Sequence, residues 1–549
     1  MLHGWRRTVT GFLIMTIGAS GLLLADDSTT ELMRAAINSL KEAGSLEIGD
    51  ASLATGPLLV ELYGRRDDRL AWTHRERVEE LLRLLAESEA EGLDPQDYNL
   101  STLTDLNDQL RGAVEADPAV LVGFDLLLTD SLARLGYHMR FGKVVPDQLD
   151  PNWNFGRKVM TRDVVQFVQD AIDSDSLASF IREVSPRHGF YLTLKQALAE
   201  YREIAASGGW TSVPGGATLG PGDRGKRVRL LRARLDLAPG EIFDAELEQA
   251  VREFQQNHGL EMDGRVGKNT LRAINVPVES RIDQIRVNLE RARWVFRDID
   301  EEGEFVLVNI AGFRVYYVDD REVAWTARAQ VGKTYRKTPV FRGKIQYLEL
   351  NPTWTVPPTI LAKDILPAVR KEIGYLERKN MSVLDASGRK VDPLTIDWQR
   401  YAKGGFPYAI RQDPGPNNAL GRIKFIFPNS HFVFLHDTPS RDLFSRSRRA
   451  FSSGCIRVER PFELAAILLD DPEQTRERML ERVGGATERM HLAEPVTVMI
   501  LYMTAGAIGG DVQFLEDVYG RDSRVLDALD GDFKIVAPSG LAISWPMDN

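Results

Sequence analysis

Residues 432–457 read Phe-Val-Phe-Leu-His-Asp-Thr-Pro-Ser-Arg-Asp-Leu-Phe-Ser-Arg-Ser-Arg-Arg-Ala-Phe-Ser-Ser-Gly-Cys-Ile-Arg. The apolar run Phe432-Val433-Phe434-Leu435 is strand material, and His436 closes it at a strand terminus, where active-site groups often lie. Cys455 is the only cysteine of the chain. A thiol with an ordinary pKa of ~8.5 is only about 3% thiolate at pH 7. A neighbouring imidazole, as base or as imidazolium partner, raises that fraction, and a two-unit drop in pKa corresponds to roughly 2.7 kcal/mol in favour of the thiolate. Arg457 adds positive potential, and in an extended segment positions 455 and 457 share a face. Gly454 has no Cβ and lets a carbonyl approach the backbone. The N–H groups of Gly454 and Cys455 then make a candidate oxyanion hole, whose donors are worth ~3 kcal/mol each in acyl transfer. The plainer readings are a core cysteine and a structural strand-end histidine. His431 competes as the base, but within one regular strand it points to the face opposite His436. The arginines at 441, 446, 448 and 449 read as a solvated charge run or, together, as a receptor for substrate carboxylates.

Around this stretch the texture is that of strands. Phe305–Ile310 and Arg314–Val318 are β-rich runs joined by a turn containing Ala311-Gly312, and similar runs recur at Ile345–Leu350, Ile423–Phe427 and Val496–Tyr502. They delimit a mainly-β domain over 304–505. A Pro-punctuated segment, 355–411, reads as a helical insertion too long for a plain loop, hence a lid or cap. Trp354 and Tyr408 flank it, as groove-lining or as core aromatics. The 506–549 extension carries no strong signal.

Upstream, 28–210 reads as helical: Val78, Leu81, Leu82 and Leu85 form one stripe, Gly92-Leu93-Asp94-Pro95 breaks it, and Phe124–Leu135 is a second apolar run. Turn material at Gly208-Gly209 and Gly220-Pro221-Gly222 introduces a small three-helix module over 217–277, with Asp244 as an N-cap before Leu247, Ala250, Val251 and Phe254. A connecting helix is expected over 278–303. At the start, Trp5-Arg6-Arg7, an apolar run from Val9 to Ala25 and Asp26-Asp27 read as an export signal or a membrane anchor over 1–25. No later segment is long and apolar enough to span a bilayer.

The 549 residues suggest about three or four domains at ~150 residues each. A formal charge of −10 is a poor balance for wrapping nucleic acid, which wants a basic face. One cysteine excludes an intrachain disulfide and any multi-Cys metal site, and the histidines include no metal-ligand motif, so no metal or cofactor is expected.

His436-Asp437-Thr438 followed by Ser452-Ser453-Gly454-Cys455-Ile456-Arg457 resembles the signature of the L,D-transpeptidases with a YkuD-type catalytic domain. Pro414–Gly421 and Lys337-Thr338-Pro339 are similar to that family as well. Phe254-Gln255, His258-Gly259-Leu260, Asp263-Gly264, Val266-Gly267 and Thr270 resemble peptidoglycan-binding domains of the three-helix type. The helical N-terminal region with Gly92-Leu93-Asp94-Pro95 and Tyr98 looks like the scaffold of the large YcbB-like branch, as does the order scaffold, binding module, catalytic domain. Many family members carry histidine where this chain has Ser453; the branch it resembles uses serine.

The resemblance implies a multidomain α+β protein: a helical scaffold, a peptidoglycan-binding module and a mainly-β catalytic domain under a capping insertion. It implies a cysteine acyltransferase acting on peptidoglycan tetrapeptide stems in the periplasm. Cys455 would be the nucleophile, His436 the general acid/base, Gly454 an oxyanion donor and Arg457 a stabiliser of thiolate or substrate. Ser452, Ser453, Trp354 and Tyr408 would contact substrate. The product would be a 3→3 cross-link between diaminopimelate residues. Water as acceptor would give an L,D-carboxypeptidase or endopeptidase, a lipoprotein lysine would give anchor attachment, and a vestigial site would leave a wall-binding scaffold. Implied partners are the stems themselves, lipoproteins and wall-synthesis proteins, with the inner membrane reached only through the N-terminal segment.

Overall fold

The structure, a computed structural model, describes residues 27–149, 153, 155, 163–299, 302–402, 404–508 and 511–531. The expected signal or anchor over 1–25 lies outside the described residues, as does the end of the C-terminal extension. Among the described residues no helix is long and apolar enough to cross a membrane.

Nine strands form the main sheet: β1 (Glu304–Asn309), β2 (Arg314–Asp319), β3 (Glu322–Gly332), β4 (Phe341–Leu350), β5 (Ile423–Ile426), β6 (Leu435–His436), β7 (Ala450–Ser452), β8 (Ile456–Val458) and β9 (Glu488–Leu501). Their order is β7-β3-β8-β6-β5-β4-β9-β1-β2, and β2 also pairs with β3. β3 meets β2 along its first half and β8 at Ala329 and Gln330, so the ladder returns on itself and the sheet closes. Period-two alternation puts Ala329, Val331, Leu348, Leu350, Ile423, Phe425, Leu435, Ile456 and Val458 into one buried core. The residues between them face the other way, and that face carries the polar chemistry.

The insertion between β4 and β5 has the expected helices and a small sheet besides. Short helices, among them Leu366–Lys371 and Tyr375–Arg378, surround a four-stranded sheet ordered Trp354–Thr355, Ala409–Gln412, Met381–Leu384, Lys390–Val391. It has its own small core of Val356, Ile365, Val369, Val383, Trp398 and Ile410. Strands this short leave no period to read in the sequence.

The N-terminal region is helical. Its centre is α1 (Pro118–Phe141), opened by Asp117, whose side chain accepts from the Ala119 N–H. Almost every residue from Phe124 to Phe141 is buried, as befits a helix enclosed on all sides. Its buried carboxylates are satisfied: Asp125 accepts from Tyr63 Oη and from the Ala71 and Trp72 N–H groups, and Asp130 from Thr55 and Arg134.

Two further helices, α2 (Gly189–Ala206) and α3 (Val278–Ile299), join this region to the catalytic domain. Glu290 on α3 accepts from the Val144 N–H at 2.6 Å and pairs with Arg293 at 2.9 Å. On the same helix, Asn288 exchanges hydrogen bonds with Thr504, and Gln284 donates to the Thr504 and Leu515 carbonyls. The C-terminal extension opens with a hairpin, β10 (Ala505–Ile508) and β11 (Asp511–Phe514), and ends in α4 (Asp522–Asp530), which packs along α3.

The three-helix module comprises Lys226–Arg234, Ala245–Asn257 and Lys268–Ile274, with Asp244 capping the second helix at Leu247 N–H. Gln255 is its hub, bonding Asp263, Arg265, Thr270 and Gly264. His258 stacks on Phe254, ring centroids 3.7 Å apart, and lies 5.8 Å from Phe514 of β11. Tyr201 of α2 and Arg281 of α3 pack on the same Phe514 ring. The module thus docks on the C-terminal hairpin, where Phe514 is the shared ring and Leu515 lies against Gly259, while Arg281 of α3 donates to the Ala273 carbonyl. Phe514→Ala is expected to cost roughly 3–5 kcal/mol of local stability. It should also speed proteolysis in the 207–222 connection; cleavage at the wild-type rate would show that the docking does not depend on this ring.

Candidate active site

β6 and β8 run parallel, with Leu435 opposite Ile456 and His436 opposite Arg457. Cys455 directly precedes β8, so the register sets it beside Phe434, and the Ile456 N–H to Phe434 carbonyl bond of 3.0 Å closes that pair. Directly opposed residues share a face. Cys455 and His436 therefore stand on one face of adjacent strands, as diagonal neighbours. The row through His436 continues in both directions: Glu349, Lys424, His436, Arg457 and Gln330 face one another in turn across β4, β5, β6, β8 and β3. Arg457 Nη1 donates to Gln330 Oε1 at 3.0 Å, and Arg489 extends the row to β9 by pairing with Glu349 at 3.2 Å.

His436 is 3% exposed, and its Nδ1 bonds the main-chain carbonyl of Asp437. A carbonyl oxygen only accepts, so Nδ1 carries the proton and Nε2 is left as the base. The Asp437 carboxylate turns away to accept from the Arg422 N–H and Nε and from Arg441 Nη2 at 2.9–3.0 Å. Gly421 makes room for it: φ is +67°, and a Cβ there would lie 2.5 Å from the Asp437 Cβ.

The turn that carries Cys455 is held from within. Ser452 is buried; its hydroxyl donates to the Cys455 carbonyl at 2.5 Å and accepts from the Gly454 N–H at 3.1 Å. Gly454 has φ +124°, and its carbonyl accepts from Thr338 Oγ1 at 2.8 Å. The expected oxyanion donor at Gly454 is thus engaged by Ser452. Exposed Ser453 accepts from Arg336, which also pairs with Asp364 of the cap and so ties the cap to the turn.

Cys455 is half-buried, with Sγ 3.8 Å from the Phe432 carbonyl oxygen. Burial pushes its pKa up, against the Phe434 N–H and the charges of Lys424 and Arg457, which favour the thiolate. His436 is held down to about 3, by burial first and by the Arg457 charge next. The resting pair is therefore neutral thiol and neutral imidazole, not thiolate and imidazolium. The arrangement suits proton transfer from sulfur to Nε2 as a carbonyl arrives.

The structure brings together Cys455, His436, Gly454, Arg457, Ser452 and Ser453. Trp354 and Tyr408 pack against the cap's own apolar cluster. The arginines at 441, 446, 448 and 449 do not form one receptor: Arg441 holds Asp437, Arg448 reaches Glu516, and buried Arg449 donates to the Ala329, Arg446 and Phe313 carbonyls. Lys424 was not singled out by the sequence. Its Nζ lies 3.9 Å from the Phe434 ring centroid, and its charge acts on Cys455. A lone lysine between Ile423 and Phe425 was the available signal.

Two outcomes follow from these charges. Alkylation of Cys455 by iodoacetamide should keep accelerating with pH beyond an ordinary thiol midpoint of ~8.5. A plateau reached below pH 7 would mean an ion pair instead. Lys424→Met should slow alkylation at pH 8 by about three- to tenfold, since a lost pKa unit of thiolate stabilisation is tenfold; an unchanged rate would remove Lys424 from the site.

Residues 303–487 match the family described as "L,D-transpeptidase catalytic domain" (YkuD), 224–274 that of the "Putative peptidoglycan binding domain", and 57–198 that of the "Scaffold domain". A Haemophilus influenzae protein named "Putative L,D-transpeptidase" is 28% identical over 483 residues, covering 87% of this chain and 81% of that one. A solved L,D-transpeptidase structure from Xylanimonas cellulosilytica is 15% identical, covering 52% of this chain and 99% of that one, at a TM-score of 0.18. Another, from Stackebrandtia nassauensis, is 14% identical, covering 55% and 98%, at a TM-score of 0.20. The chain carries a YkuD-type L,D-transpeptidase catalytic domain together with a peptidoglycan-binding domain and a scaffold domain.

Proposed function

We propose that this protein is a cysteine L,D-transpeptidase that forms 3→3 cross-links between diaminopimelate residues of peptidoglycan, outside the cytoplasm. The observation that carries the reading is Cys455 and His436 on one face of paired strands, with the imidazole oriented by a main-chain carbonyl. His436 Nε2 takes the Cys455 proton as Sγ attacks the carbonyl between diaminopimelate and the terminal D-Ala of a donor tetrapeptide. The Cys455 N–H faces the developing oxyanion, and Lys424 and Arg457 supply positive potential. His436 returns its proton to the leaving D-Ala amine, which leaves a thioester on Cys455. The side-chain amine of a second diaminopimelate then attacks the thioester, His436 takes up that amine's proton, and the thiol is restored as the new amide forms.

Ser452 holds the turn, Arg336 and Ser453 join it to the cap, and Trp354 and Tyr408 offer the stem the cap's aromatic edge. The binding module gives affinity for the wall.

The test is intact-mass spectrometry of the protein with a purified disaccharide-tetrapeptide, followed by analysis of the muropeptide products. The expected result is a covalent adduct of disaccharide-tripeptide mass on Cys455, absent in Cys455→Ser, and a dimer joined 3→3. Adduct formation in Cys455→Ser would overturn the assignment; tripeptide without dimer would make water the acceptor. His436→Ala should slow acylation by about 10²–10⁴-fold. Muropeptide binding should stay within about twofold in that variant, and equal losses in both would argue against a base.

A further inference from the structure

Among the described residues only two aromatic side chains are exposed, Tyr335 at 73% and Phe432 at 75%. Both border Cys455. In the sheet β8 lies between β3 and β6. It runs antiparallel to β3, with Arg457 opposite Gln330, and parallel to β6, with Ile456 opposite Leu435. The chain leaving β3 and the chain entering β6 therefore both pass the end of β8 where Cys455 stands, one on each side. Tyr335 is carried by the first, just after Gly332, and Phe432 by the second, just before Leu435.

Each ring is held out by its own backbone. The Lys333 N–H donates to the Ser452 carbonyl at 3.0 Å, and the Arg336 N–H to the Lys333 carbonyl at 2.9 Å. Arg336 Nη1 also reaches Ser453 Oγ at 2.9 Å. Tyr335 thus rides on a turn hung from the residues just before Cys455. On the other side, Asn429 pins the chain around Phe432: its Nδ2 donates to the Phe427 and Val433 carbonyls at 2.8 Å, and its Oδ1 accepts from the His431 and Val433 N–H groups. Val433 is buried, Phe432 is thrust outward at φ +54°, and its carbonyl oxygen lies 3.8 Å from Cys455 Sγ. A bulky side chain at positive φ costs free energy that glycine or asparagine would not. Nothing is regained by burial, because the ring stands in solvent. A strained, solvent-facing ring beside a reactive group points to a ligand that covers it.

We propose that Tyr335 and Phe432 are the two jaws of a substrate clamp, which close on the peptide stem from either side of Cys455. The inference rests on the reaction proposed above. The carbonyl under attack must sit over Sγ, so its neighbours meet the rings: the methylene chain of diaminopimelate and the methyl of the terminal D-Ala. Both are apolar, and aromatic faces bury them. Calorimetry on Cys455→Ser, which cannot turn the stem over, reads the clamp directly. Adding Phe432→Asn or Tyr335→Ala should each weaken binding about fivefold or more, and both together should weaken it further. The free tetrapeptide and the disaccharide-tetrapeptide should suffer alike; a loss confined to the disaccharide form would assign the rings to sugar and overturn the proposal. In the chain that keeps Cys455, the loss should fall on the concentration dependence of acylation rather than on its limiting rate. Asparagine accepts positive φ, so Phe432→Asn should not lower the thermal midpoint. A lowered midpoint with unchanged stem affinity would make the ring a packing element and overturn the proposal, as would the absence of saturable binding to Cys455→Ser. If acylation proceeds and neither variant weakens binding, the clamp fails and the reaction stands. If the stem binds through both rings but never acylates Cys455, the clamp stands and the reaction fails.

Discussion

Two residue pairs, Leu435 with Ile456 and His436 with Arg457, fix the catalytic geometry. The strands that make them are two and three residues long and would not persist alone. They persist because β5 flanks β6 and β3 flanks β8, and because Leu435 and Ile456 are both fully buried beneath them. A slip of one residue in this register would turn His436 into the core and bring an apolar side chain to the polar face. The supports around the pair all guard that register: Gly421 leaves space for Asp437, Ser452 spans its own turn, and Thr338 grips Gly454 from behind.

The polar row across the sheet explains how a buried imidazole coexists with two cations. Burial and Arg457 together keep His436 uncharged, so Lys424, His436 and Arg457 can stand side by side without three positive charges. The same burial leaves the thiol protonated at rest. In the proposed reaction, proton movement would then wait for the moment a substrate carbonyl excludes the remaining water, when the nearby cations would stabilise the new anion most.

Much of this was legible in the sequence, and what was not has a physical reason. The runs at 305–310 and 314–318 are dense in β-branched and aromatic residues and became β1 and β2. The run Phe432–Leu435 looked like a full strand, yet only its end pairs: Phe432 takes φ +54° and is 75% exposed. β3 escaped although Trp325, Ala327, Ala329 and Val331 alternate with Thr326, Arg328 and Gln330, because its inward positions are largely alanine, a residue of low strand propensity. β6, β7 and β8 are too short to show a period and exist only through partners distant in sequence. Cys455, His436 and Arg457 announced themselves by residue type and spacing. Lys424 belongs to the site only by virtue of strand pairing, which no local pattern encodes, whereas Thr338 lies in the Lys337-Thr338-Pro339 motif and reaches the site through turn closure. His258, prominent in the module's motif, packs toward Phe514, and the neighbouring Gly259 lies beside Leu515.

That last contact has a mechanical consequence. A module clamped by Phe514, with α2 and α3 closing on the same ring, cannot swivel on a tether, so its grip on a glycan strand would also set the compass bearing of the cleft. On the proposed reaction the protein would then work as a caliper: the span between its two ends, set by packing, would choose which stems along a strand come within reach of the sulfur, and slackening that joint would trade this selectivity for range.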